Sequence, residues 1–250
     1  MSEVMLQQTQ ASRVVPAYRA FLRRFPHVRA LAGARRDDVL RAWDGLGYNR
    51  RALALSEAAR RIVSASGGAV PADPVHLRSL PGVGPYTAAA VASIAFGVPI
   101  AAVDTNVRRI VSRVFDGRDD SGHARVRELA DAWLDRRDPG AWNQALMDLG
   151  REVCRPRPRC EICPLRRSCA FVALGAEPSP PAPVQRRFEG SMREARGAVV
   201  RALRRRRRSA TVAELAHVTD LDAERVAEAV RRMSAEGLLE TRRGRVRLAR

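Results

Sequence analysis

The sequence predicts an all-α body followed by a small C-terminal winged helix-turn-helix-like domain, on three observations. From residue 4 to about residue 150, apolar side chains recur at three- and four-residue spacing between short Gly/Pro breaks. Runs that alternate apolar with polar residues are almost missing from that stretch. Near the C-terminus, LLETRRGRVRLA does alternate, around a Gly turn, as a small β-hairpin would.

Taken in order, VVPAYRAFLRRF, DDVLRAWDGLG and RRALALSEAARRIVSAS read as three helices. PYTAAAVASIAFG, TNVRRIVSRVF, HARVRELADAWLDRR and AWNQALMDLGREVC read as four more. The stretch Ala176–Pro183, AEPSPPAP, has the composition of a semi-extended linker. Beyond it, residues 192–208, 211–218 and 222–236 read as helices; with the hairpin they complete a winged-helix pattern.

The chain has 250 residues, enough for one good core and a small second one, and a formal charge of +18. All 45 basic residues are arginine. A surface this basic attracts polyanions by counterion release, and nucleic acid is the commonest polyanion in a cell. An arginine-rich genome is the competing account of part of that excess. The segment from Arg186 to the C-terminus has 18 arginines against 9 acidic residues, half of the net charge. Arg204–Arg208 is an unbroken basic block, which a solvated helix end favoured by the dipole explains as well as nucleic acid does. With no lysine, no side-chain amine can form a Schiff base with a sugar aldehyde. No signal peptide is visible and no apolar run approaches bilayer length, so no membrane association and a cytoplasmic location are expected.

All four cysteines, Cys154, Cys160, Cys163 and Cys169, fall in CRPRPRCEICPLRRSC, separated by five, two and five residues. In a reducing cytosol such clustering favours a metal centre over disulfides. Spacing alone leaves zinc and iron–sulfur both open. Five arginines beside the thiols make this loop a plausible clamp on a phosphate backbone.

Two further segments carry chemistry. LPGVGPYT places Gly82, Val83 and Gly84 between two helical patterns, where open backbone N–H groups at a helix start can hold a phosphate. PGVG alone is equally a plain turn. In AAVDTNVRRIV, Asp104 stands just before a helix, with Asn106 in its first turn. Asp104 reads first as an N-cap; a fixed carboxylate there also suits stabilisation of a developing oxocarbenium ion.

SEVMLQQTQ, WDGLGYNRRA, LPGVGPYTAAAVASIAFG, VDTNVRRIVSRVF, WNQALMDLG and the four cysteines occur in register over residues 2 to about 170. In this the chain resembles adenine DNA glycosylases of the MutY type, in the helix-hairpin-helix base-excision superfamily. The resemblance implies a two-lobed helix-hairpin-helix fold, double-stranded DNA containing mispaired adenine as partner, action as a monomer, and a [4Fe-4S] cluster on the four cysteines. Together with the linker composition and the C-terminal pattern, this gives a glycosylase domain at 1–150, a cluster loop at 151–175, a linker at 176–190 and a winged-helix-like domain at 191–250.

The same resemblance makes Glu3 the general acid that protonates the flipped adenine, Asp104 the stabiliser of the sugar cation, and Tyr86 a residue of the catalytic centre. Tyr86 stands where bifunctional relatives carry a Schiff-base lysine, so base removal without strand cleavage is expected. Gln8, Leu46 and Tyr48 match the residues or loop that wedge into the duplex; Gln144 matches the position that bonds the adenine edge, and Asn106 stands beside Asp104. Relatives carry a further segment before the first motif, so Glu3 is expected on a fraying terminus and the natural start upstream of Met1. The first cysteine gap is one residue shorter than in the family, and the winged-helix-like segment replaces a Nudix-like domain. Two other readings compete: a mismatch thymine glycosylase, against which SEVMLQQT and WNQALMDLG argue, and a non-catalytic iron–sulfur DNA-binding regulator, against which the carboxylates and Tyr86 argue.

Overall fold

The computed structural model describes residues 1–180, 187–206 and 208–250; part of the linker reading and Arg207 of the basic block lie outside the described residues. The chain packs as two units, Met1–Val70 with Val184–Arg250, and Pro71–Pro183. The first unit opens with α1 (Ser2–Leu6), α2 (Ala11–Arg24), α3 (Val28–Ala32), α4 (Arg36–Ala42) and α5 (Arg50–Ser66). Val4 and Met5 of α1 are buried, so the helix carrying Glu3 packs its apolar face on the core. Asp37 and Asp38 sit in the first turn of α4, where the helix dipole favours acids, and α5 stops at Gly67 in the left-handed conformation. Phe21 and Trp43 meet edge to face at 5.9 Å in the core of this part.

The second unit contains α6 (Pro74–Arg78), α7 (Pro85–Phe96), α8 (Thr105–Asp116), α9 (His123–Trp133), α10 (Pro139–Glu152) and α11 (Ala170–Ala173), with two 3-10 turns at Cys160–Ile162 and Arg166–Ser168. The turn between α6 and α7 makes a helix-hairpin-helix. Asp73 caps α6 through the Val75 and His76 N–H groups, and α7 begins with Pro at its first position. Val107, Ile110 and Val111 of α8 are fully buried against Val126 and Ala130 of α9 and Leu146 of α10.

The C-terminal part of the first unit has the three helices and hairpin expected from its pattern: α12 (Met192–Arg205), α13 (Val212–Thr219), α14 (Ala223–Ala235), β1 (Leu239–Arg242) and β2 (Arg245–Leu248). The strands pair antiparallel from Leu239 opposite Leu248, and Arg243 and Gly244 both take positive φ, as a tight hairpin turn requires. Ala210 adds a bridge to Val246, and Thr211 with Glu214 forms a capping box on α13. These elements do not stand apart on their linker. Ala195, Val199 and Leu203 of α12 share one apolar cluster with Leu40, Trp43 and Leu46. Arg204 donates to Asp44 at 2.6 Å, Asn49 at 2.9 Å and the Trp43 carbonyl at 3.3 Å. Among the described residues no helix is long and apolar enough to cross a membrane.

Candidate active site and cysteine centre

Asp104 is the N-cap of α8. Its Oδ1 accepts the Val107 N–H at 2.7 Å and its Oδ2 accepts from Asn106 Nδ2 at 3.0 Å, so two donors fix both oxygens. Asn106 Oδ1 in turn accepts from Arg109 at 2.9 Å. Arg109 also donates to the carbonyls of Gly150, at 2.9 Å, and Cys154, at 2.8 Å. A continuous chain of hydrogen bonds thus runs from the Asp104 carboxylate to the first cysteine. Gly150 makes the approach possible: a Cβ there would lie 2.5 Å from Asn106 Cβ.

The strand of backbone before Asp104 is held by a residue that the sequence reading passed over. Asn143 is fully buried; its Oδ1 accepts the Ala102 N–H at 2.7 Å and its Nδ2 donates to Ser93 Oγ, the Ile100 carbonyl and the Pro139 carbonyl. Both N–H groups of the amide and its oxygen are engaged, which holds the backbone at Ile100 and Ala102. An asparagine on the apolar stripe of α10 is the signal that marks it. Its neighbour Gln144 points outward and is exposed. Tyr86, half-buried at the start of α7, donates to Met147 Sδ at 3.5 Å and packs on Ala89, Ala90 and Ala102. Gly82 takes φ +77° and Gly84 caps α7 with open space where a Cβ would stand. The hairpin therefore offers backbone to a ligand without obstruction by side chains at Gly84.

In the other unit, Glu3 is half-buried on α1, and the loop residues Gln8 and Tyr48 have left-handed φ values of 55° and 42°. Both are exposed. A non-glycine residue in that region is strained and persists only where its surroundings over-determine it. Arg51 does so. Its guanidinium donates to the carbonyls of Val4, Met5, Gln7, Leu46 and Gly47 and to Thr9 Oγ1, and lies 5.5 Å from the ring centroids of both Trp43 and Tyr48. Leu46 turns inward. It is 3% exposed, because Gly45 and Gly47 on either side take positive φ and fold its side chain into the core. Its carbonyl accepts from Arg51 at 2.9 Å and from Thr9 Oγ1 at 3.2 Å.

The four cysteines line one cavity of about 380 Å³, solvent-open space included, whose other walls are largely apolar, among them Ile110, Leu149 and Phe171. Burial, and after it the other thiols, pushes the Cys160 thiol up; burial likewise raises Cys163, so metal binding must displace protons. Among the described residues no set of three or more His, Cys, Asp or Glu converges tightly enough for a single metal ion. Four soft donors around one cavity are a ligand set that zinc and an iron–sulfur cluster can both use. Arg113, 1% exposed, closes the back of this cavity. It donates to Cys154 Sγ at 3.6 Å and to the carbonyls of Arg155 and Pro156 at 2.7 and 2.9 Å, pairs with Asp119 at 2.6 Å, and lies 4.8 Å from the centroid of the Phe171 ring. Burial pushes the Asp119 carboxyl up, but the Ser179 N–H and Arg113 more than offset it and hold the group below the usual range.

A helical hairpin before a capped aspartate, followed by a cysteine-walled cavity, defines a class, and the comparisons with known proteins agree. The model of HhH-GPD superfamily base excision DNA repair proteins matches residues 1–136, and the chain belongs to that superfamily. Within it, the chain is 41% identical over 254 aligned residues to an adenine DNA glycosylase of Mycolicibacterium smegmatis, covering all of this chain and 86% of that one. It is 44% identical to an adenine DNA glycosylase of Mycobacterium tuberculosis over 86% of this chain and 72% of that one. Among solved structures, a thermostable thymine-DNA glycosylase superposes with a TM-score of 0.65 at 31% identity, covering 69% of this chain and 82% of that one. A non-covalent endonuclease III–DNA complex superposes with a TM-score of 0.62 at 25% identity, covering 70% of this chain and 82% of that one.

Proposed function

We propose that the chain is a monofunctional DNA glycosylase that excises adenine mispaired with guanine or 8-oxoguanine in duplex DNA. The observation that carries this reading is the Asp104 carboxylate, locked by Val107 and Asn106 at the head of α8 in a chain whose relatives bear the name adenine DNA glycosylase. The hairpin at Gly82–Gly84 grips a phosphate through backbone N–H groups. Gln8 and Tyr48 enter the stack beside the target, the adenine turns out of the helix, and Gln144 bonds its edge. Glu3 donates a proton to the base, which turns a poor leaving group into a good one. As the glycosidic bond lengthens, the fixed negative charge of Asp104 opposes the positive charge growing on the sugar, and Tyr86 lines the same centre. Water then completes the hydrolysis. With no lysine in the chain, no side-chain amine is present to cut the strand through a Schiff base.

Cys154, Cys160, Cys163 and Cys169 would hold a [4Fe-4S] cluster, which when bound supplies a covalent brace to the 154–169 loop. Endonuclease III solved with DNA, similar over 70% of this chain, supports double-stranded DNA as the partner.

Duplexes bearing A opposite G, A opposite 8-oxoguanine and T opposite G distinguish the readings. Adenine release from the first two is expected; free thymine from the third, with no adenine, overturns the choice. Asp104→Asn retains an N-cap, so it should bind duplex normally yet release base about 100-fold more slowly or worse. Wild-type turnover in that variant would remove Asp104 from the mechanism.

A further inference from the structure

We propose that an arginine-lined groove in the first unit, formed by α4, the C-terminal end of α12 and β2, binds the phosphodiester backbone of duplex DNA. The groove encloses about 930 Å³, open solvent included, and Arg41, Arg206, Arg208, Arg245, Arg247 and Arg250 line it, with Asp37 the acidic residue on its wall. Two outer carboxylates partly neutralise it. Glu214 lies 3.6 Å from Arg206 and 3.2 Å from Arg245, and Glu240 lies 2.7 Å from Arg247. Arg208 is exposed and makes no side-chain ion pair among the described residues; Arg250 is exposed too, with its backbone N–H on Glu240 at 2.8 Å and its guanidinium near enough to lower that carboxyl. The groove thus keeps positive charge that the fold does not use internally, on guanidinium groups whose planar donors suit phosphate oxygens.

The rest of the C-terminal elements argue against the usual docking of a winged helix-turn-helix. There the third helix enters the major groove. Here that helix is α14, whose Arg232 is paired with Glu228 at 2.6 Å, whose Arg231 is paired with the same Glu228, and whose Arg225 is paired with Glu194 at 3.1 Å. Three arginines there stand against Glu224 and Glu228 on the same helix and Glu194 on α12, so α14 keeps less net positive charge than the groove. The groove is also built to hold still: Arg204, 10% exposed in its side chain, ties the end of α12 to Asp44 and Asn49, and Arg41 donates to the Arg204 carbonyl. A backbone held in place reduces what the guanidinium groups it carries must lose in entropy on meeting a phosphate. Most of the groove lies beyond residue 136, where the family match ends, and apart from the hairpin at Gly82–Gly84. The proposal takes from the preceding section only that the ligand is DNA.

The test compares two double variants of the full chain that remove the same charge, R208Q/R250Q and R231Q/R232Q. Binding to an undamaged duplex of about three helical turns is followed by fluorescence anisotropy over a series of salt concentrations. Each phosphate contact contributes about 0.9 to the slope of log K against log salt, so R208Q/R250Q should lower it by about 1.8. R231Q/R232Q should leave the slope unchanged. Wild-type slope in R208Q/R250Q, or equal loss in both variants, overturns the proposal; so does a loss seen only on double-stranded RNA. Base release at saturating protein is measured on the same preparations. If no wild-type base release occurs, the glycosylase reading fails while the slopes still decide the groove.

Discussion

Arginine serves two opposite purposes in the two units. Behind the cysteines, Arg113 is sunk in the protein with every neighbour an acceptor, a sulfur or a ring, and Arg109 spans Asn106 and the Cys154 carbonyl in the same way. At the groove of the first unit, Arg208 and Arg250 face water. Net charge cannot tell these uses apart. A buried guanidinium is a multi-headed clamp on backbone carbonyls that would otherwise lack donors, and its charge is an expense the fold must neutralise. An exposed, unpaired one costs the fold almost nothing and remains available to a phosphate. The chain's +18 therefore overstates the charge presented to nucleic acid.

The sharpest way to break this contrast is at Asp119. Asp119→Asn leaves the Arg113 charge buried without its counter-ion, and removing one partner of such a pair costs about 3–5 kcal/mol. Urea unfolding should show that loss, together with loss of colour from the cysteine centre. R208Q should shift the same midpoint by less than about 0.5 kcal/mol. Equal effects at the two positions would mean that burial does not separate the two classes of arginine.

Gly150→Ala tests the buried side at intermediate size. The added methyl meets Asn106 Cβ, so either α10 backs away from α8 or Asn106 turns and releases Asp104. Overpacking of this kind costs about 1–3 kcal/mol. Base release should fall more than duplex binding does, because the disturbance enters through the carboxylate's own donor. A variant that loses binding and release in proportion would show that the Asp104–Asn106–Arg109 chain does not position the carboxylate.

Much of this was legible from residue pattern alone, and the omissions have one cause. Asp104 as an N-cap follows from an acid set immediately before an apolar stripe, and the hairpin at Gly244 follows from alternation on either side of a turn residue. Periodicity says that a face is buried but not against what. The apolar face of α12 gave no sign that its partners are Leu40 and Trp43, far away in the chain. Leu46 read as part of an exposed loop because flanking glycines signal a turn; they do not say which way the turn carries its middle side chain. Arg51, Arg113 and Asn143 were missed because polar residues are by default assigned to solvent. Arg113 did carry a mark, standing three residues after Ile110 on the buried stripe of α8.

A gain rather than a loss of stability is expected where the two uses of arginine meet. Arg51 is a brace like Arg113, but what it braces, Gln8 and Tyr48, is exposed and held in a left-handed backbone. Glycine removes the steric cost of that conformation, about 1–2 kcal/mol, and returns part of the gain as entropy of the unfolded chain. Gln8→Gly should therefore leave thermal stability equal to wild type or raise it by up to about 1 kcal/mol, while discrimination of mismatched from matched duplex weakens. A protein strained at a ligand-facing loop gains stability when the strain is removed and loses the function the strain serves. If Gln8→Gly instead destabilises the fold by the amount that glycine costs in an ordinary helix, about 1 kcal/mol, the loop is not strained and Arg51 is only a packing residue.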